Sequence, residues 1–312
     1  MTNIKKLGLT ALAGSLVATS AYAGELAVSG TAKLTYASQH DTETTGNPYS
    51  MSKGIGFSGS GDLDNGMAIA YQYTMTDAAF SSSSLKLDMG DTGTLSFSNG
   101  AGTTGISAYD DKMPTAGEEV WDDLDGQASG VATISNKGTI GYAGSFGPVG
   151  VSASYNKDDK ASPTTTAGSS HSLVVSMSPA DGVSAFIGTG DKSGSTANNG
   201  TDMYTAGVTY TAGAFTLGFQ TTDIDVSAVN GDTDRNHLAA SFAVNENMSI
   251  SYGMSTVGFE DPAKVDQEDA GVAVSYTMGS MTLGAFRNTS DDVAGTASAE
   301  DSVTEVSLAF AF

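Results

Sequence analysis

From Glu25 onward, apolar residues occupy every second position in one segment after another, and the positions between them are almost all Ser, Thr, Gly or Ala. Leu26, Val28, Leu34 and Tyr36 alternate with Ala27, Ser29, Lys33 and Thr35; Met67, Ile69, Tyr71, Tyr73 and Met75 alternate with Ala68, Ala70, Gln72 and Thr74. The same pattern runs through Leu85/Leu87/Met89, Tyr204/Ala206/Val208/Tyr210, Phe215/Leu217/Phe219, Met248/Ile250/Tyr252/Met254 and Val306/Leu308/Phe310/Phe312. A two-residue period is that of a strand with unlike faces, and counting the segments predicts sixteen strands, with 183–190 and 281–287 alternating poorly. Short connections such as Gly147-Pro148, Ala212-Gly213 and Gly279-Ser280 carry tight-turn residues. They are interleaved with long polar ones at 37–50, 156–170, 190–201, 222–234, 255–269 and 288–301. One stretch obeys neither a two-residue nor a helical period: residues 107–129, with seven carboxylates, one lysine and the only tryptophan, Trp121.

The class follows from which face is apolar. Aromatic residues sit near strand ends on the apolar face, and the opposite face is small and polar. That combination matches an all-β, 16-stranded antiparallel transmembrane β-barrel with lipid outside and water inside. Closure is required because lipid cannot satisfy an open sheet edge. The competing architecture is an exported soluble β-rich adhesin, a sandwich or solenoid.

The first 23 residues read as a cleaved signal peptide: Lys5 and Lys6, an apolar run from Leu7 to Ala18, then the small-x-small site Ala21-Tyr22-Ala23. The barrel domain is then 24–312. A formal charge of −22 supplies no basic footprint, which argues against nucleic-acid partners. With no cysteine, disulfides and thiolate metal sites are excluded.

Taken together, the chain resembles a Gram-negative general diffusion porin, in particular the alphaproteobacterial kind. The likeness rests on the signal peptide followed by GELAVSGTAKLTY, the alternation of short turns and long loops, the terminal VSLAFAF, and the acidic insert NGAGTTGISAYDDKMPTAGEEVWDDLDG after the fifth strand, Thr94 to Ser98. The resemblance implies a trimeric barrel in outer-membrane lipid and lipopolysaccharide, passing small hydrophilic solutes and cations without enzymatic activity or cofactors. It further implies that the third outer loop folds into the lumen and constricts it. The insert falls on that loop, which makes Asp110, Asp111, Glu118, Glu119, Asp122, Asp123 and Asp125 candidate constriction residues, with Trp121 as an anchor. The family usually opposes this loop with wall arginines. Here only Arg235 and Arg287 exist, so the wall cations expected from alternation are Lys33, Lys86, Lys137 and Arg235, while Lys53 and Arg287 share the outward parity.

Other motifs carry little. Gly54-Ile55-Gly56-Phe57-Ser58-Gly59 matches a dinucleotide-binding string, but a turn rather than a helix follows it. Asp62, Asp64, Asn65 and Gly66 lack the later ligands of a calcium loop. His40, His171 and His237 are widely separated, and no G-x-S-x-G elbow is present. A substrate-selective channel is the second functional expectation. An aromatic slide would support it, yet the only aromatic residues near lumen parity are Phe186 and Phe286.

Overall fold

Alternation becomes a ladder in the computed structural model, which describes residues 26–40, 46–77, 79–100, 103–128, 130–131, 138–157, 168–193 and 200–312. The expected signal peptide and Lys137 lie outside the described residues. Sixteen strands follow in order: β1 (Leu26–Gln39), β2 (Tyr49–Asp62), β3 (Ala68–Thr76), β4 (Ala79–Asp88), β5 (Thr94–Asn99), β6 (Thr139–Phe146), β7 (Val149–Lys157) and β8 (Ser169–Ala180). They continue as β9 (Val183–Lys192), β10 (Thr201–Ala212), β11 (Phe215–Val226), β12 (Thr233–Asn245), β13 (Met248–Phe259), β14 (Gln267–Met278), β15 (Met281–Asp291) and β16 (Glu300–Ala311). Each pairs antiparallel with its sequence neighbours, and β16 returns to β1, closing the ring.

The closing ladder pairs Thr31–Gln39 with Val303–Ala311 and is extended by Phe312. The Gly30 N–H donates to the Phe312 carbonyl at 2.7 Å, and the Phe312 N–H donates to the Gly30 carbonyl at 2.9 Å. A Cβ at position 30 would stand 2.8 Å from the Phe312 ring, so a larger residue there would push that exposed ring aside.

Directly paired residues share a face, so register separates the two surfaces of the wall. Leu238 is paired with Phe219 and Met254, and all three are exposed although apolar. Contiguous exposed apolar rows of this kind are out of place in water and suited to lipid. Toward the long-connection end of β9–β12 and β14–β16 the same rows finish in carboxylates. Asp191, Asp202 and Asp225 are successive cross-strand partners, as are Glu268, Asp291 and Glu300. Lys53 and Arg287 are on this outer face, as their parity indicates: Lys53 pairs with Asp77 at 3.2 Å and Arg287 donates to Thr304 at 3.0 Å.

Strands extend further than alternation suggests, so the long connections contract to 40–48, 158–168, 193–200, 227–232, 260–266 and 292–299. The outer strand ends are polar on both faces, which hides the two-residue period while the backbone ladder continues. The two poorly alternating segments are full strands, β9 and β15. Their irregularity comes from Phe186 and Phe286, apolar residues on the inner face.

Candidate functional site

The described residues of the connection between β5 and β6 lie against the inner face of the wall and are fixed there mostly through their backbone. The connection contains one short 3-10 turn, Ile106–Tyr109, and otherwise has no regular structure in the described residues. Its unpaired amides and carbonyls need partners, and the wall provides them. The Gly105 and Ile106 N–H groups donate to Ser152 and Ser172 at 2.8 and 2.9 Å. At Gly105 φ is +65°, and a Cβ would collide with Ser154 and Ser172, so the close approach requires glycine.

Three wall amides each bind the insert backbone through two or more hydrogen bonds. Gln220 on β11 accepts from the Lys112 N–H at 3.1 Å and donates to the carbonyls of Tyr109 and Asp110 at 3.0 and 2.9 Å. Asn288 on β15 donates to the carbonyls of Glu119 and Asp122 at 2.8 and 3.2 Å. Gln267 on β14 accepts from the Gln127 N–H and donates to the Gln127 carbonyl, both at 3.0 Å. Ser251 accepts from Ala116, Asp301 accepts from Asp125, and Arg235 donates to the Gly130 carbonyl at 2.8 Å. Sequence analysis missed Gln220, Asn288, Gln267, Ser251 and Asp301, and for the three amides a signal existed. The available signal was a long amide side chain in rows otherwise made of Ser, Thr, Gly and Ala.

The inner face is also less uniformly wet than its composition implies. Ile106 and Val131 of the insert are buried with Val174, Phe186, Met203 and Ile224 of the wall, and Tyr109 packs against them with its ring 4.9 Å from Phe186. A second cluster joins Ala116 to Ala273, Phe286 and Val303, with Leu124 against it. The inner-face aromatics are therefore seats for the insert and not a slide. Trp121 meets the wall edge-on at His237, with ring centroids 4.8 Å apart.

The candidate charges divide into distinct environments. Asp111, expected to point into water, is buried instead, its carboxylate 3.5 Å from His237 Nδ1. Packing of Trp121 and the insert backbone over His237 closes that corner. Arg235, expected as an open wall cation, is also buried, because its guanidinium is used to hold Gly130. Lys33 does face the insert: its ammonium lies 2.9 Å from Glu305 and 3.4 Å from Glu118. Lys86 is exposed on the inner face of β4, and Asp110, Asp123 and Asp125 are exposed on the insert.

The carboxylates of Glu118, Glu119 and Asp122 bring oxygens within 4.8 Å of one another, the one grouping among the described residues able to offer a cation three ligands. Part of that charge is already compensated. Lys33 answers Glu118, and Asp122 is pushed up to about 8 by burial first, then by sharing a hydrogen bond with Glu119 and by the charges of Glu119 and Glu118. At neutral pH Asp122 therefore holds a proton.

A family model described as Gram-negative porin matches residues 8–311. No curated protein matches the chain by sequence. Among solved structures, a mutant of Rhodobacter blastica porin aligns over 92% of this chain and 100% of its own at 16% identity, with a TM-score of 0.63. OmpT, an outer membrane protein of Vibrio cholerae, aligns over 93% of this chain and 98% of its own at 14% identity, with a TM-score of 0.70. Both likenesses are of fold.

Proposed function

Since the chain belongs to the Gram-negative porin family and is an outer-membrane channel protein, we propose that it is a passive, water-filled conduit for small hydrophilic solutes and ions. In this reading 100–138 is an inward-folded loop that sets the bore. One observation carries it: the insert is tied to inner-face side chains from β7 around the ring to β16. A sixteen-stranded barrel encloses more space than wall side chains can fill, and a strand-free segment fixed across it narrows the passage. No covalent step is involved, the first 23 residues act as a cleaved export signal, and the working unit is a trimer set among lipopolysaccharide.

The passage prefers cations, and only mildly. Of the seven insert carboxylates, Asp111 is buried, Glu118 shares Lys33 with Glu305, and Asp122 is protonated at neutral pH. Asp110, Glu119, Asp123 and Asp125 remain, against Lys86 and Lys112. Carboxylates lining a pore favour cations, and ions in the constriction pass within the Debye length of ~8 Å. The zero-current potential of the purified protein across a roughly tenfold salt gradient should have the cation-selective sign and grow as salt is diluted. An anion-selective sign in the unmodified channel would overturn the charge assignment.

A further inference from the structure

Beneath the insert, on the side of the short turns, the lumen contains a concave cavity of about 780 Å³. Its size falls in the range of small-molecule sites, ~300–1,000 Å³. The lining is unusual for a stretch of channel in two respects. First, it is rich in hydroxyls: Ser145 on β6 and Ser176, Ser184 and Thr209 on the adjacent strands β8 to β10 all border it. Second, its charges are few and apart. Lys112 is the sole cation among the lining residues, and Asp91, in the β4–β5 turn, the sole carboxylate.

Lys112 is held in place at its base and along its length. Its N–H is bound by Gln220 at 3.1 Å, and its ammonium lies 5.3 Å from the centre of the Tyr109 ring, which is itself braced on Phe186. The ammonium makes no ion pair among the described residues, unlike Lys33, and its side chain is exposed. A fixed, unpaired cation beside a field of free hydroxyls suits a ligand with one anionic group and several hydroxyls. A bare inorganic anion would leave the hydroxyls unused, and a neutral sugar would leave the ammonium unused.

We propose that this cavity is a binding subsite for small hydroxylated organic anions of the sugar-acid or sugar-phosphate class, with the anionic group on Lys112 and the hydroxyls on the Ser and Thr side chains of β6 and β8–β10. The proposal rests on the reading of the barrel as an open channel, and deepens it by naming a solute class that is retained on the way through.

The test uses the full-length barrel in a planar lipid bilayer, with sodium gluconate or glucose added on the short-turn side at constant ionic strength. Gluconate should reduce the current saturably, and glucose should not. Lys112→Gln should raise the half-blocking gluconate concentration about tenfold, the usual worth of a charge-assisted hydrogen bond. Lys112→Arg should retain the block, and Lys157→Gln, which removes a charge from the outer strand end of β7, should leave it unchanged. A conducting barrel in which gluconate acts no differently from glucose, or in which Lys112→Gln blocks like the parent, overturns the subsite alone. A folded barrel that conducts nothing overturns the channel reading and the subsite with it.

Discussion

In the wall, position alone determines a residue's neighbour: Leu34 lies opposite Leu308 and Met51 because both ladders run without interruption through that point. In the insert nothing is set by position. Tyr109 is bound to Gln220, more than a hundred residues away, and Asp125 to Asp301 further still. The wall is repetitive and redundant, since every strand is held along its length by two others. The insert is held at a handful of points, most of them single side chains. Damage to the wall should therefore decide whether a barrel exists, and damage to the insert should alter only what the barrel does.

The largest effect is expected at the seam where the wall closes, β1 against β16. Deleting Phe312, or changing it to Asp, removes the backbone pair with Gly30 or places a charge on the lipid-facing row at the strand end. The yield of heat-modifiable folded barrel in the outer membrane should fall several-fold; a normal yield from both variants would refute the dependence on this residue.

Removing 107–129 should have a smaller effect on folding and a large one on passage. The strands retain all their ladder hydrogen bonds, so folded barrel should still form, and single-channel conductance should rise about as the cleared cross-section does. Unchanged conductance and size exclusion in the folded deletion variant would mean that the insert does not set the bore.

The finest contrast lies within the insert, at Asp122. A carboxyl raised to about 8 keeps its proton in the folded loop between pH 4 and 8, where the unfolded loop would have lost it. Its contribution to holding the loop is therefore complete below pH 4 and declines as pH rises through 8. Its negative charge appears over the same upper limb. Cation preference, read from the zero-current potential, should step upward between about pH 7 and 9, and Asp122→Asn should remove that step while leaving conductance at pH 6 unchanged. A profile flat from pH 6 to 9 in the unmodified protein would show that Asp122 is already ionised.

The same difference in construction explains how far the sequence could be read. Period-two segments such as Phe215/Leu217/Phe219 announced their own faces, so strand number, closure and the outward parity of Lys53 and Arg287 were all legible. The end of β11 was not, because Thr221, Asp223 and Asp225 follow Phe219 on the outer face and no apolar row marks where pairing stops. The insert could be located by its lack of period and its acidity, and Trp121 was legible as an anchor. The burial of Asp111 against His237, and the diversion of Arg235 to a carbonyl, could not be foreseen. Each depends on one residue meeting another more than a hundred positions away, and no local pattern records such a meeting.

The hydrogen bonds that seat the insert also bear on when it can be seated. Their wall partners belong to β7, β8 and β11 through β16, strands that become neighbours of one space only after the ring has closed. Until then Gln220, Gln267 and Asn288 have nothing to grip together. On the proposed reading of the insert as the element that sets the bore, a barrel that closed before seating it would be a wider hole than the finished one.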